Sequence, residues 1–395
     1  MTDDADVIII GGGMVGAALA GLLARDGIDV TVIESQPAPQ VDAQAPLDLR
    51  VSSVNIANAE LFKRIGAWAF MTNVRVCPFR RLRVWDQGGG ETRFDARETG
   101  HDWFGWFVEN SVIQAGLHQA LAELPNVRWL APESPETITT DGDAVTVRLA
   151  SGTILRGRLL VGADGARSMV REHAGIAVHQ TDYDQRALII NVATELPQQD
   201  ETWQRFTPDG PQAFLPLTGN RASLVWYGQP EAIRILESLD DDMLAQEIVD
   251  TFPEDLGGIT AVLGRASFPI RRQHAACYTA SRLALVGDAA HAIHPLVGQG
   301  LNLGLQGVET LAQVIHTAHA SGRDLGAAAV LAEYERRHRA RALTMMVATD
   351  AFHRLFTREP GMLTRIGNGV LRLADKAPAG RRQVMRHAMG LPLWG

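Results

Sequence analysis

The feature that most constrains the fold is a glycine-rich turn between two apolar runs at the amino terminus. Residues 7–10 (VIII) are all β-branched, which is typical of a strand buried on both faces. The sequence GGGMVG follows directly at residues 11–16, then an apolar stretch with helical character over 17–25 and a second β-rich run over 29–33. Glu34 closes that run. This order predicts a βαβ unit.

Each glycine of this unit has a chemical reason for its place. Gly11 permits the tight turn, Gly13 lets backbone approach a pyrophosphate, Gly16 allows close packing of helix on strand, and Glu34 is placed to accept from a ribose hydroxyl. The unit therefore predicts dinucleotide binding, against the alternative of a glycine-rich helix start that binds nothing. FAD and NAD both satisfy it, and no second such fingerprint follows, so one dinucleotide has a dedicated fold.

Composition excludes several classes of protein. A chain of 395 residues with 46% hydrophobic and 21% charged residues is typical of a soluble globular protein with two domains. A net charge of −8 argues against nucleic-acid binding, and two cysteines provide neither a disulfide framework nor a metal site. The apolar stretch over residues 7–24 follows acidic residues rather than basic ones, which argues against a targeting segment.

A second motif follows the strand predicted over residues 153–161. The sequence GADG at 162–165 leads into a helix with Ser168 at its start. An isolated Asp-Gly pair is merely a turn. Placed between a strand and a helix, Asp164 is expected to belong to a phosphate-side architecture.

The middle of the chain changes from helical to β periodicity. Helices are predicted over 54–65 and 112–124, and hairpins over 203–217 and 212–227, with further strands at 80–85 and 266–270. Consecutive hairpins predict an antiparallel sheet separate from the βαβ unit. Its aromatic residues either form plain core or wall a pocket for an aromatic or prenyl ligand, and the sequence leaves both open; they are Trp203, Phe206, Phe214, Trp226 and Tyr227.

A third motif occupies residues 283–309. A short apolar strand ends at Gly287-Asp288, and Pro295 disfavours helix at His294 before it. A helix is predicted to begin at Gly298 and Gly300. The N–H groups of its first turn, which have no partner within the helix, and its dipole suit an anion.

These three motifs in this order resemble the FAD-dependent aromatic hydroxylases of the para-hydroxybenzoate hydroxylase type, over residues 5–345. GGGMVGAALA and GDAAHAIHPLVGQGLNLG are similar to segments of the ubiquinone-biosynthesis hydroxylases. PFRRL (78–82), FTPDGP (206–211), AFLPL (213–217) and SLVWY (223–227) are most similar to the branch that hydroxylates demethoxyubiquinol. The resemblance implies a mixed α/β fold: a Rossmann-like FAD-binding domain, an antiparallel β-sheet substrate domain and a C-terminal helical tail.

The resemblance also implies roles for residues along one long FAD site. Glu34 would hold the adenosine ribose and Asp288 the ribityl chain, Pro295 would lie beside the isoalloxazine, and the backbone of residues 298–302 would meet the flavin pyrimidine edge. Asp164 would serve the site indirectly. The residues implied to bind FAD are Gly11, Gly13, Met14, Val15, Gly16, Glu34, Arg50, Gln114, Asp164, Gly287, Asp288, Pro295, Gly298, Gly300, Leu301 and Asn302.

The peripheral positions depart from the family or stay open. Arg50 and Gln114 would touch the FAD phosphate region, although Arg50 could equally be a solvated loop cation, and many relatives carry arginine near Gln114. Many relatives also carry an acid where this chain has Gly307, with Glu309 two residues later.

The implied reaction is hydroxylation of an electron-rich ring through a flavin C4a-hydroperoxide, with O2 as co-substrate and NAD(P)H or another electron donor. The helix start at Gly300 would stabilise negative charge on the reduced flavin. Because the cofactor carries the chemistry, few acids and bases are expected. His294 is the candidate catalytic residue; His291 and His294 are alternatively structural loop histidines.

The predicted domains are discontinuous. Residues 1–75, 105–180 and 275–345 form the FAD-binding domain, 76–104 and 181–274 the substrate domain, and 346–395 the helical tail. Residues 361–395 hold six basic side chains and one acid. This basic amphipathic tail either contacts an anionic membrane or a partner protein, or packs its apolar stripe on the body.

The expected substrate is a polyprenylated benzoquinol, and the expected location is the cytoplasm, peripheral to the inner face of the membrane, with a quinone-biosynthesis complex as a candidate partner. The alternatives are another ring hydroxylation of the same pathway, hydroxylation of a soluble phenol, or a flavin-binding assembly protein without turnover.

Overall fold

The computed structural model describes residues 3–44, 46–86, 90–293, 298–356 and 378–391. The strands are β1 Asp3–Ile10, β2 Val30–Ile33, β3 Val51–Asn55, β4 Cys77–Phe79, β5 Arg81–Asp86, β6 Glu91–Asp95, β7 Gly105–Glu109, β8 Val127–Leu130, β9 Pro135–Asp141, β10 Ala144–Leu149, β11 Ile154–Gly162, β12 Val178–Thr194, β13 Glu201–Thr207, β14 Gly210–Leu217, β15 Arg221–Gly228, β16 Ile259–Ala275, β17 Thr279–Ala280, β18 Leu283–Leu285 and β19 His291–Ala292.

Helices connect and cover these strands. They are α1 Met14–Arg25, α2 Ile56–Ile65, α3 Trp68–Val74, α4 Asn110–Ala122, α5 Met169–His173, α6 Pro230–Ser238, α7 Asp241–Thr251, α8 Gly300–Ala320, α9 Ala328–Phe356 and α10 Pro378–Ala388. The predicted helices over 54–65 and 112–124 are confirmed as α2 and α4, each displaced by about one turn or less. No described helix is long and apolar enough to cross a membrane.

The first sheet brings the three sequence motifs together. Its order is β17-β18-β11-β1-β2-β8, with parallel pairing from β18 through β8, and β1 is buried from Val7 to Ile10 as its all-apolar run predicts. Ile10 lies opposite Gly162, and Gly162 lies opposite Leu285. The carboxyl ends of β1, β11 and β18 are therefore adjacent, which is the edge where open α/β sheets bind ligands.

The second sheet contains the predicted hairpins. Its order is β19-β16-β12-β15-β14-β13-β5-β6, and the pairs β13·β14 and β14·β15 are antiparallel as expected. The predicted strands at 80–85 and 266–270 join it as β5 and β16. One pairing differs from the all-antiparallel expectation, because β5 runs parallel to β13. The predicted mixed α/β class is confirmed.

A third, small sheet lies between the first two. Its order is β3-β7-β4, and α8 packs on β3 while α1 packs on α8 and α4. The segment before β3 also touches the second sheet, where Asn191 Nδ2 of β12 donates to the carbonyl of Asp48 at 3.0 Å. The division of the chain into FAD-binding and substrate-binding segments stays a prediction.

Candidate functional site

The adenosine end of the predicted site is the turn after β1. Gly11 has φ +104°, and a Cβ there would lie 2.3 Å from the carbonyl oxygen of Ala163. A Cβ at Gly16 would lie 1.9 Å from the carbonyl of Gly11. At Gly13 a Cβ would meet, within 4 Å, only the side-chain amide of Gln114 among the described atoms. Crowding thus requires Gly11 and Gly16, while Gly13 leaves backbone open to an approaching ligand.

Glu34 holds this turn from the end of β2. Its Oε2 accepts from the backbone N–H of Gly12 at 2.7 Å, and its Oε1 accepts from the N–H of Gln36 at 2.8 Å. The indole of Trp129 on β8 closes the same corner, since a Cβ at Gly12 would lie 2.5 Å from its ring. Trp129 was missed by sequence reasoning, because nothing local marks a half-buried tryptophan as a neighbour of residue 12.

The flavin end begins where β18 ends. Gly287 has φ +58°, which favours glycine, and it leads into a short 3₁₀ turn, Gly287–Ala289. The Asp288 side chain is exposed although Gly287 and Ala289 are buried. Surrounding protein nevertheless desolvates the carboxylate and raises its pKa, while the positive charge of Arg50 acts in the opposite direction. The carboxylate is thus both accessible and crowded by protein, which is consistent with the ribityl-binding role that the resemblance implies.

Val15 joins the two ends. A Cβ at Gly287 would lie 3.1 Å from a methyl of Val15, and a Cβ at Gly304 would lie at the same 3.1 Å distance. The Val15 side chain is therefore a spacer between α1, the Gly287 turn and α8. Met14, the first residue of α1, is half-buried and packs against the main core.

The start of α8 presents backbone donors to the same edge. The first intrahelical bond runs from the N–H of Leu303 to the carbonyl of Gln299, so the N–H groups of Gly300, Leu301 and Asn302 precede the helical ladder. A Cβ at Gly300 would meet nothing within 4 Å among the described residues, and Gly298 has φ +60°. This open glycine ahead of a 21-residue helix is a cradle for a flat anionic edge.

The Asn302 side chain is not available to a ligand. It is fully buried, its Oδ1 accepts from Asn58 Nδ2 at 2.7 Å and from the N–H of Asn55 at 3.2 Å, and its Nδ2 donates to the carbonyl of Ser53 at 2.9 Å. These bonds fasten the first turn of α8 to β3 and α2. The predicted contribution of Asn302 is thereby confined to its backbone, and its three partners had no sequence signal.

A buried ion pair orders the loop that carries Arg50. Glu109 binds Arg75 through both carboxylate oxygens, at 2.8 and 3.0 Å, and its Oε2 also accepts from the N–H of Asp48 at 2.7 Å. Asp48 in turn accepts from the N–H groups of Arg50 and Ser111. Arg50 is exposed beside Asp288, so the structure places it at the predicted site rather than leaving it remote.

Asp164 supports the site from behind. Its Oδ2 accepts from the N–H groups of Met169 and Val170 at 2.8 and 3.2 Å, which caps α5, while its buried Oδ1 has no partner among the described residues. Its backbone N would lie 2.8 Å from a Cβ at Gly11. Asp164 therefore touches the glycine turn through backbone, in keeping with an indirect role.

Histidines behind the flavin loop form a buried cluster. His291 Nε2 and His338 Nε2 are 2.7 Å apart, and both residues are buried. Burial lowers the pKa of both imidazoles. Repulsion from His338 adds to this effect at His291, and the charge of Arg341 adds to it at His338, whose pKa falls to about 4. Tyr278 and Tyr334 complete the cluster and are themselves neutral, with pKa values raised by burial. The structural reading of His291 is therefore favoured. His294 and Pro295 lie outside the described residues.

One face of the second sheet points toward the Arg50 loop. Asn191 and Gly264, directly paired, contact Asp48 and Leu49 respectively. Strand register places an apolar group with partly or fully exposed side chains on this same face, which we call the apolar strip: Ile189, Ala213, Leu215, Val225 and Ala266. The opposite face is covered by α6 and α7, and the core reading is confirmed there for Trp203, Phe214 and Trp226, which contact each other or Phe252.

The described part of the tail packs on the body. Met385 of α10 and Met389, directly after the helix, are buried against the aromatic side chains of Phe79, Phe104 and Phe107. Asn55 Nδ2 also donates to the carbonyl of Ala388 at 3.3 Å. Of the two readings of the tail, packing on the body holds for residues 378–391, while the remaining basic residues Arg365, Arg372 and Lys376 lie outside the described ranges.

The arrangement fits FAD. Backbone is open at Gly13 and Gly300, the carboxylates of Glu34 and Asp288 stand at the two ends, and helix starts face both. The family model described as the FAD binding domain matches residues 4–349 of the chain.

Relatives cover nearly the whole chain. The chain is 42% identical over 387 residues to 3-demethoxyubiquinol 3-hydroxylase of Escherichia coli, covering 98% of each chain. It is 38% identical to ubiquinone hydroxylase UbiL of Rhodospirillum rubrum, covering 98% of this chain and 90% of that one. Among solved structures, p-nitrophenol 4-monooxygenase PnpA of Pseudomonas putida has a TM-score of 0.79 at 20% identity, covering 98% of this chain and 99% of that one, which shows the shared fold.

Proposed function

The chain belongs to the FAD binding domain family, among the FAD-dependent ubiquinone hydroxylases, and we propose that it hydroxylates the ring of a polyprenylated benzoquinol at the demethoxyubiquinol step. The observation that carries this proposal is the pairing of an open flavin-ring cradle at Gly300 with the apolar strip. The ring of a prenylated quinol must lie beside the flavin, which activates oxygen, and an apolar surface must exclude water around it.

The binding roles follow from the geometry already described. Glu34 would hold the adenosine ribose, and Asp288 the ribityl chain. The N–H groups of Gly300, Leu301 and Asn302 would hold the pyrimidine edge, where their preorganised dipoles stabilise negative charge. When bound, FAD supplies the electron transfer and oxygen activation that no side chain provides.

The protein's further tasks are positioning and exclusion of water. Ile189, Leu215 and Val225 offer aliphatic surface for the substrate, and none of them carries a group that competes for a proton. The ring hydroxyl proton needs an acceptor, and His294 stays our candidate. NAD(P)H is the proposed electron donor, and dioxygen supplies the inserted atom.

Complementation tests the whole proposal. A bacterial strain lacking its own demethoxyubiquinol hydroxylase is expected to recover the mature quinone when it expresses this chain, with the demethoxy intermediate disappearing from its lipid extract by mass spectrometry. Asp288→Ala is expected to fail, and Asp143→Ala, in the turn between β9 and β10, is the matched control. Rescue by a variant that binds no FAD would instead indicate an assembly protein, and turnover of small phenols alone would indicate a soluble-phenol hydroxylase.

The apolar strip has its own test. Val225→Asp places a charge on the strip and is expected to abolish complementation while FAD binding persists. Val249→Asp places the same charge on the outer side of α7, where Val249 is 50% exposed, and is expected to complement. Equal behaviour of the two variants would remove the strip from the substrate site.

We propose peripheral contact with the inner face of the membrane through the basic tail, which fits a prenylated substrate. On α10 the buried side carries Met385, while Arg382, Val384 and His387 are exposed. Arg382→Glu leaves the packed side intact and is expected to reduce co-sedimentation with anionic vesicles, and unchanged sedimentation would count against it. Association with other quinone-biosynthesis proteins is a further proposal, testable by co-purification.

A further inference from the structure

His338 contacts both arms of the flavin-ring loop. This loop runs from β19, which ends at Ala292, to α8, which begins at Gly300. Toward the first arm, His338 Nε2 lies 2.7 Å from Nε2 of His291. Toward the second arm, a Cβ at Gly307 would lie only 2.5 Å from the same Nε2 atom of His338. One imidazole on α9 therefore fills the gap between the two elements from which the loop departs.

Gly307 has no backbone reason to be glycine. It lies inside α8 without a positive φ, where glycine is a poor helix former. Its reason is steric, since any side chain at this position would displace the His338 ring. Gly307 and His338 thus form a complementary pair that brings α9 close to α8 two turns after the flavin cradle.

The two imidazoles share one hydrogen bond. Because two Nε2 atoms are paired at 2.7 Å, one ring donates and the other accepts. His338 Nδ1 has no partner among the described residues and is buried. An apolar side chain at position 338 would avoid this unsatisfied atom. The histidine pair therefore costs folding stability, as expected where it holds a specific geometry.

We propose that His338 is a positioning residue that sets the spacing between the two arms of the flavin-ring loop, and with it the position of the α8 donors against FAD. The proposal rests on the flavin-ring placement of the proposed function. FAD affinity and the flavin potential are measured without a quinol. A failure of this proposal can therefore be distinguished from a failure of the substrate assignment.

The test compares three substitutions. His338→Leu removes the bond and is expected to weaken FAD binding to the apoprotein about tenfold, the equivalent of one buried hydrogen bond, and to shift the flavin midpoint potential. His338→Gln keeps a side-chain amide that can both donate and accept a hydrogen bond, and it is expected to recover both. Thr202→Val removes a buried bond in the second sheet, from the hydroxyl to the carbonyl of Phe214 at 2.6 Å, and is expected to lower stability without moving the potential.

A space-exchange variant separates packing from positioning. Gly307→Ala alone would push His338 away from His291, so weaker FAD binding is expected without touching the histidine. His338→Ala combined with Gly307→Ala refills part of the space without the bond, so thermal stability should recover relative to His338→Ala while the potential stays shifted. A wild-type potential and FAD affinity in His338→Leu, or in Gly307→Ala should the former not fold, would overturn the proposal.

Discussion

The contact network of Asn302 makes a quantitative prediction. Asn302→Ala removes an amide that is fully buried and that makes hydrogen bonds to Asn55, Asn58 and Ser53. Each such bond contributes about 1 kcal/mol net, and a buried group left without a partner costs about 1–3 kcal/mol. Three groups would lose this partner: the N–H of Asn55, the Asn58 amide and the Ser53 carbonyl. The expected loss of unfolding free energy is therefore about 3–5 kcal/mol.

The same change should reach the cofactor. Because these bonds fasten the first turn of α8 to β3 and α2, their loss lets the donors at Gly300 and Leu301 move, and FAD affinity should fall at least about tenfold. Urea unfolding of the apoprotein gives the stability term, and titration of apoprotein with FAD, followed by flavin fluorescence, gives the affinity.

A matched asparagine provides the control. Asn126 Nδ2 donates to the carbonyls of Ala24 and Ile28 at 2.8 and 2.9 Å, at the opposite end of the first sheet. Asn126→Ala should lower stability by about 2 kcal/mol and leave FAD affinity unchanged. A loss below about 1 kcal/mol for Asn302→Ala, or equal effects of the two variants on FAD, would refute the reasoning.

Three further predictions address the cofactor site, the ion pair and pH. Asp288→Ala and Gly300→Val should each yield protein without yellow colour, measured as the flavin-to-protein absorbance ratio; full colour in Asp288→Ala would count against the flavin assignment. Arg75→Leu leaves the Glu109 carboxylate buried without its ion-pair partner, since their side chains are 6% and 4% exposed, and should cost about 3–5 kcal/mol in urea unfolding, with Lys63→Leu at the surface as control. Burial lowers the pKa of His338 from 6.5 to about 4, so the unfolded chain takes up a proton first as pH falls. Stability should therefore decline between pH 6.5 and 4, by about 3 kcal/mol at the lower end, and His338→Leu should show a shallower decline; equal slopes would contradict it.

The separate elements of the site could be predicted from the sequence, because each depends on local chemistry. Residue types at fixed spacing indicate the turn at Gly11, the cap of α5 and the glycine start of α8. Their meeting at one sheet edge follows from the rule that parallel strands present their carboxyl ends together. The hairpins of the second sheet were predictable for the same local reason.

The rest depends on contacts between distant segments. Nothing near Asn302 indicates Asn58 as its partner, and nothing near Gly307 indicates His338, because each pair forms only when separate helices pack. The Trp129 ring over Gly12 is of the same kind. The sequence could not decide between the two alternatives for the tail, because the same pattern of apolar residues would pack on Phe79 or on a membrane.

Isotope labelling tests the central claim most directly. The complemented strain is grown under dioxygen labelled with heavy oxygen, and the ring hydroxyl formed from the demethoxy intermediate is examined by mass spectrometry. One labelled atom from dioxygen in that hydroxyl, dependent on an intact Asp288, is the predicted result. A hydroxyl whose oxygen comes from water, or product formed equally by a chain that binds no FAD, would contradict it.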